Sequence, residues 1–189
     1  MNVHEAITSR RTVHTFTDRP VSDDVLERAL HAANHAPCHR KTYPWRFTLA
    51  GPRLRGELAG LAVHLKAETR PLQPADIEKI RAKILTPSIL LVASRMQCPD
   101  PAVAREDYAA CACAIQNFML SLAEDGIGSK WMTGALGAAP EDVMAAVGAP
   151  AGEKLMGAIW YGYPAKDLAE DAKAPPRKKG LDGVLTACP

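Results

Sequence analysis

The sequence lacks the long apolar runs of membrane-spanning proteins. No stretch of its 189 residues approaches the roughly eighteen consecutive apolar residues that a bilayer-spanning helix needs. Residues 1–5 include an acid and have neither the basic start nor the apolar stretch of a secretory signal. We therefore expect a cytoplasmic protein without a membrane as partner.

The sequence also has little excess charge. Its formal net charge is +2 at pH 7, whereas binding to a nucleic-acid backbone needs a basic face or stripe. Nucleic acid is therefore not an expected partner.

The five cysteines are an odd number in a chain long enough to bury its own core. A disulfide framework is therefore not expected. Cys111 and Cys113 lie two residues apart in a helical stretch, so their side chains point in different directions. We interpret both as buried small apolar residues rather than as a metal pair.

Several motifs of known chemistry are missing. The sequence contains neither Gly-x-Gly-x-x-Gly nor a Walker-type phosphate loop, which argues against a Rossmann or P-loop module. Gly-x-Ser-x-Gly is also absent. His31 and His35 are one helical turn apart, but no third ligand or catalytic glutamate accompanies them as in a zinc protease. No metal site is predicted.

The apolar pattern predicts alternating helices and short strands in one domain that covers residues 1–189. Helices are expected at 3–9, 22–34, 53–66, 103–123 and 140–147, with a further helical stretch up to residue 84. Strands are expected at 46–50, 88–93, 129–133 and 155–161. The run 88–93 is apolar throughout, as in a central strand covered on both faces. Helix 103–123 is apolar almost all round and is a candidate dimer interface.

Two basic clusters and one loop are candidates for binding. Arg10, Arg11 and Thr12 lie where a helix ends, and guanidinium groups with a hydroxyl suit phosphate oxygens. A second cluster lies at 177–179. The loop 37–47 joins basic and aromatic residues, and His39 in it is hard to explain as core. Basic clusters are usually solvated, so two unrelated surface patches on an α/β protein remain an alternative.

Taken in order, these segments resemble the nitroreductase superfamily. Residues 10–16 resemble its opening Arg-Arg-Ser-x-Arg-x-Phe, and residues 36–47 resemble its Ala-Pro-Ser-x-x-Asn-x-Gln-Pro-Trp-x-Phe loop. Segments 128–136 and 159–164 and the basic tail at 176–179 resemble later parts of the family. The short length and His39 are most similar to compact, YdjA-type NAD(P)H nitroreductases.

The resemblance implies an α+β fold of three layers, with a central mixed, mostly antiparallel sheet flanked by helices. It implies a homodimer that holds FMN at its interface and exchanges a C-terminal tail, which packs on the partner subunit from about residue 165. NADH or NADPH would be the electron donor, and a small oxidised acceptor such as a nitroaromatic or a quinone would be reduced in a ping-pong cycle. No catalytic side chain is implied, because the flavin carries the chemistry.

The resemblance also assigns residues to the flavin site. FMN would be bound from one subunit by Arg10, Arg11 and Thr12, with Arg10 and Thr12 on its phosphate and ribityl end. The same flavin would be reached from the other subunit by His35 and His39. The ring would lie along Trp131, Met132 and Thr133, and the phosphate site would be completed by Arg177 or Lys178.

Three residues depart from the family motifs. His14 replaces an arginine, Lys41 an asparagine and Tyr43 a glutamine, so the environment of the flavin pyrimidine edge is expected to differ. Arg40, Lys41 and Arg46 are candidates for positive charge near that edge. A non-catalytic flavin-binding or redox-sensing protein, and another flavin reaction such as flavin fragmentation or dehalogenation, remain alternatives.

Overall fold

The computed structural model describes residues 2–86 and 88–166. Its helices are α1 (Val3–Ser9), α2 (Asp23–Asn34), α3 (Pro52–Thr69), α4 (Pro74–Leu85), α5 (Pro101–Glu124) and α6 (Pro140–Val147). Its strands are β1 (Trp45–Leu49), β2 (Ile89–Arg95), β3 (Gly128–Met132) and β4 (Lys154–Gly162), and a 3-10 helix spans Gly134–Ala138. These elements lie within one to three residues of the predicted bounds, except that the 3-10 helix was not predicted.

The four strands form one sheet in the order β1-β2-β4-β3, and every pair in it is antiparallel. The apolar strand β2 lies inside the sheet, as predicted from its composition. A parallel pairing occurs as an isolated bridge between Thr12 and Ser129. Helices and an antiparallel sheet are therefore arranged as the resemblance implied.

Two hydrophobic clusters lie on opposite faces of this sheet. One contains residues of α2 and α5, and the other contains residues of α3, α6 and the 3-10 helix. Strand β4 contributes to both, since Ile159 and Tyr161 belong to the first cluster, and Ala158 and Trp160 to the second. This alternation is the two-residue period of a strand. The result is a three-layer structure.

Helix α5 crosses the first layer and begins at a well-defined cap. The Asp100 side chain accepts hydrogen bonds from the backbone N–H groups of Ala102 and Val103, as is typical of a helix N-terminus. Cys111 is buried, but Cys113 is exposed on this chain. The prediction that both cysteines are buried is therefore wrong for Cys113, because a two-residue step turns it to the opposite side of the helix.

Helices α3 and α4 form a hairpin on the second layer. The guanidinium group of Arg55 donates hydrogen bonds to the carbonyl oxygens of Ile84, Thr86 and Ser88 at 2.6–2.8 Å. Ile84 lies in the last turn of α4, and Thr86 and Ser88 follow it, so these carbonyls have no helical partners of their own. Arg55 thereby ties the end of α4 to the start of β2.

In the part of the chain that the structure describes, no helix is both long and apolar enough to cross a bilayer.

Gly157 in β4 leaves space for the indole of Trp131, so a substitution at Gly157 tests how closely β3 and β4 pack. Its φ is +135°, and a Cβ atom there would lie 2.5 Å from Nε1 of Trp131. We expect Gly157→Ala to destabilise the fold by about 1–3 kcal/mol, because of both backbone strain and displacement of a rigid ring. Urea denaturation monitored by tryptophan fluorescence measures this change.

Gly60→Ala is the matched control. Gly60 lies in α3 with open space around the position of a new Cβ atom, so alanine there should stabilise the protein by about 0.5–1 kcal/mol. Equal stability of Gly157→Ala and the wild type would contradict the close approach of Trp131.

Candidate functional site

The arginine motif is held beside β3. Thr12 forms its parallel bridge with Ser129, and the Val13 N–H donates to the carbonyl oxygen of Ser129 at 3.1 Å. Val13 packs so closely on Gly128 that a Cβ atom there would lie 2.5 Å from its Cγ2. Residues 10–12 are therefore fixed next to the strand that ends at Trp131–Met132.

Arg11 is only partly satisfied by its own chain. Its Nη1 donates to the carbonyl oxygen of Thr8 at 2.6 Å and to that of Arg10 at 3.1 Å. Its Nε is buried without a hydrogen-bond partner among the described residues. Ser129 Oγ, on the adjacent strand, is buried and unpartnered in the same way. Buried polar atoms without a partner are unusual in proteins and point to a missing polar partner.

Trp131 and Met132 form an exposed apolar surface at the end of β3, which we call the ledge. Their exposed fractions are 36% and 40%. The ledge is rigid at one end, because the Trp131 indole donates to the carbonyl oxygen of Met156 at 3.0 Å. Thr133 follows it and precedes the 3-10 helix. The arginine motif and the ledge therefore lie along the same strand, since Thr12 pairs with Ser129, two residues before Trp131.

The two histidines lie elsewhere in this chain. His35 ends α2, with its ring 4.4 Å from that of His31. His39 lies in the following loop, where its Nδ1 is 3.1 Å from a carboxylate oxygen of Glu106 on α5. No group of three possible metal ligands occurs among residues 2–86 and 88–166. Arg177 and Lys178 lie outside the described residues.

The loop at 38–43 has a strained backbone. Lys41 and Tyr43 adopt positive φ angles of 54° and 46°, in a region that asparagine enters more readily than lysine. The strain is held by Thr42, whose hydroxyl donates to the buried carboxylate of Asp107 at 2.5 Å.

Two ionisable groups in and beside this loop have shifted pKa values. Burial raises the pKa of the Cys38 thiol, but hydrogen bonds with the side chain and backbone of Thr42 and with the Tyr43 N–H outweigh it and leave that pKa below its ordinary value. A hydrogen bond from His39, reinforced by Arg40, lowers the pKa of Glu106. The loop is therefore a hydrogen-bonded unit on the layer that contains α2 and α5.

A cavity of about 660 Å³ opens beside the ledge, between β3, residues 14–15 and the α3–α4 hairpin. Its walls include apolar side chains such as Ala62, Ile80 and Leu136. Its charged or titratable lining residues are His14, Lys66, Lys83 and Lys130, and no aspartate or glutamate of the described part of the chain lines it. The cavity is therefore positive and partly apolar.

Lys130 is the buried charge in this cavity and was not predicted from the sequence. It is 5% exposed, and its Nζ lies 4.6 Å from the centre of the Trp160 ring and 6.0 Å from that of Phe16. Burial lowers its pKa, and the nearby charge of Lys83 lowers it further. The sequence indicated this buried charge only by a lysine within the segment 129–133.

The cations predicted to surround the flavin edge lie outside this cavity. Arg40 pairs with Glu106 at 3.2 Å, and Arg46 lies 3.6 Å from the buried carboxylate of Glu153. Neither they nor Lys41 belong to the lining residues. The positively charged side chains of the cavity are therefore Lys66, Lys83 and Lys130, and none of them was predicted to lie near the flavin edge.

Comparisons with known proteins find relatives of similar sequence and structures of the same fold. YfhC of Bacillus subtilis (strain 168), whose name describes an NAD(P)H nitroreductase, is 28% identical over 174 residues, which cover 90% of this chain and 88% of YfhC. YdjA of Escherichia coli (strain K12), named in the same way, is 23% identical over 168 residues, covering 87% of this chain and 89% of YdjA. The FMN and NADPH-dependent nitroreductase NfnB from Sphigopyxis sp. strain HMH has the same fold, with a TM-score of 0.79 and 19% identity over the full length of both chains.

The sequence model of the Nitroreductase family matches residues 7–163. The match contains the arginine motif, the strained loop, the ledge and all four strands. With most of its length matched in this way, the chain belongs to the nitroreductase family.

Proposed function

We propose that the protein is an FMN-dependent oxidoreductase that transfers hydride from NADH or NADPH to a small oxidised acceptor, such as a nitroaromatic or a quinone, in a ping-pong cycle. The observation that carries the proposal is the Thr12–Ser129 bridge, which pairs the arginine motif with β3, the strand that ends in the Trp131–Met132 ledge. A flavin nucleotide needs a cationic group for its phosphate and an apolar surface for its ring. The names of YfhC and NfnB support the same reaction.

The unpartnered atoms of the site fit such a cofactor. Arg11 Nε and Trp160 Nε1 are buried hydrogen-bond donors with no partner in the described residues, and the FMN phosphate and ring carbonyls are hydrogen-bond acceptors. Arginine donors are especially suited to phosphate. Two of the side-chain donors that the described residues leave unpaired are therefore complementary to the acceptors that FMN presents.

Each part of the site has a proposed role. When bound, FMN supplies the capacity to accept and donate hydride. It is held by Arg10, Arg11 and Thr12, with Arg10 and Thr12 at its phosphate and ribityl end, while its ring lies along Trp131, Met132 and Thr133. The phosphate site is completed by Arg177 or Lys178 of the basic tail, outside the described residues.

We propose that the working unit is a homodimer with FMN at the interface. His35 and His39 lie with α2 and α5 rather than in the cavity beside the ledge. They therefore reach a flavin most simply as His35 and His39 of the partner subunit. α1 and α5 also expose apolar side chains, with Val3 at 74% and Tyr108 at 57%, and such surface favours association. The tail from about residue 165 is proposed to pack on the partner.

The proposal is tested first by flavin content and turnover. We expect the purified protein to carry FMN near one per chain and to oxidise NADH or NADPH anaerobically, with a nitroaromatic or quinone acceptor, faster than free FMN does. Bound FMN without faster oxidation would indicate a flavin-binding or redox-sensing protein. Fragmented flavin or a dehalogenated substrate would indicate another reaction.

Thr12→Val tests the phosphate and ribityl site. Valine keeps the shape and suits the bridge with Ser129, but it removes the hydroxyl. Since a hydrogen bond to a charged group contributes about 1.5–3 kcal/mol, we expect the Kd of FMN to rise at least about tenfold, with an unchanged melting temperature. Thr48→Val, in strand β1 at the other edge of the sheet, is the control and should leave the Kd unchanged.

Tyr108→Glu tests the dimer. A charge on this exposed face of α5 should weaken subunit association and FMN binding together, because the flavin site would need both subunits. Light scattering with flavin quantification measures both changes. Leu85→Glu, at a site 48% exposed at the end of α4, should leave the dimer intact. A monomeric wild type that still binds FMN tightly would refute the shared site.

A further inference from the structure

We propose that the cavity beside the ledge binds the negatively charged edge of a planar organic molecule, and that the buried ammonium group of Lys130 selects for that charge. Two molecules of the proposed reaction could present such an edge. One is the flavin ring, whose pyrimidine side gains negative charge on reduction, and the other is an aromatic acceptor that carries a carboxylate. The first source rests on the proposed function, whereas the second can be tested without it.

The charge balance of the cavity is the first argument. Lys83 and Lys130 line it together with His14, whereas Lys66 lines it from an exposed position where water screens its charge. No acidic side chain among residues 2–86 and 88–166 lines it. Lys130 forms no salt bridge or hydrogen bond through its ammonium group with any residue in the described ranges. A cluster of cations without a counter-charge favours an anionic ligand.

The burial of Lys130 is the second argument. A lysine that is 5% exposed loses most of its hydration, and this loss is normally offset by a carboxylate or by hydrogen bonds. The Trp160 ring at 4.6 Å offsets part of it through a cation–π interaction. A methionine would fill the same space without a charge, so packing does not explain the lysine.

The remaining lining explains why the ligand is planar and organic. Ile80 and Ile84 of α4 and Leu136 of the 3-10 helix provide apolar wall, against which a ring can pack. Trp160 lines the cavity too, and its indole N–H is buried without a partner. An acceptor atom at the edge of a ring would satisfy that N–H while its charge lies near Lys130. A bare inorganic anion would leave the apolar wall uncovered.

Lys130→Met is the test variant, and Lys66→Met is its matched control. Lys66 lines the same cavity but is exposed, so its charge is screened by water. Free Lys130→Met should melt at the same temperature as the wild type or higher, because an unpaired buried charge is removed. If Lys130→Met melts at a lower temperature, Lys130→Arg and Lys130→Gln replace it in the binding measurements. Lys130→Arg keeps the charge and should bind as the wild type does, whereas Lys130→Gln removes the charge and should bind as expected for Lys130→Met.

The first measurement compares 4-nitrobenzoate with its uncharged analogue 4-nitrobenzamide by calorimetry on the protein as purified. If the edge is a carboxylate, the wild type and Lys66→Met should bind the benzoate at least tenfold more tightly than the amide. Lys130→Met should bind the two about equally. This result would assign the cavity to an acidic aromatic acceptor, whether or not flavin is bound.

The second measurement is the reduction potential of bound FMN by spectroelectrochemistry. If the edge is that of the flavin, Lys130→Met should bind reduced FMN about tenfold less tightly relative to oxidised FMN. For a two-electron couple this equals a potential lower by about 30 mV, and Lys66→Met should shift it much less.

The two measurements separate the possible failures. Protein without FMN would contradict the proposed function, and the benzoate measurement alone would then decide the role of Lys130. The other failure is a protein that binds FMN but shows no effect of the charge at residue 130 on either the benzoate preference or the reduction potential. This result would overturn the inference and leave the proposed function intact.

Discussion

The burial of β4 on both faces is the constraint on which the rest of the structure depends. Ile159 and Tyr161 pack with α2 and α5, and Ala158 and Trp160 pack with the opposite layer. A strand with two apolar faces is stable only between two helical layers. Because β4 pairs with both β2 and β3, the position of every other strand follows from it.

The candidate site lies directly on this strand. Gly157 of β4 admits the indole of Trp131, and Trp160 of β4 lies under the ammonium group of Lys130. The exposed ledge and the cationic cavity are therefore both built on core residues. A site supported in this way holds its geometry better than one carried by loops alone, and substitutions in the core beneath it should affect stability and binding together.

Two clusters of positive charge differ in whether an acidic side chain balances them. In the loop after α2, His39 and Arg40 share the carboxylate of Glu106, so positive charge there is balanced within the chain. In the cavity, burial and the nearby charge of Lys83 lower the pKa of Lys130, and none of the described acidic residues lines the cavity. The fold thus tolerates an unfavourable arrangement in the cavity that an anionic ligand would relieve, as is common at binding sites.

The sequence by itself determined most of the secondary structure, since the periods of its apolar residues match the helices and strands closely, and Pro140–Val147 is an example without any shift. It also pointed to the family, because the motifs at 10–16 and 36–47 are local. The exposure of Cys113 and the burial of Lys130 were not predicted, because the exposure of a side chain depends on which neighbours cover it. Only the tertiary structure decided that Thr12 lies beside Ser129 and that Lys130 shares a cavity with His14 and Lys83, because these contacts join segments distant along the chain, and burial and charge are properties of such contacts.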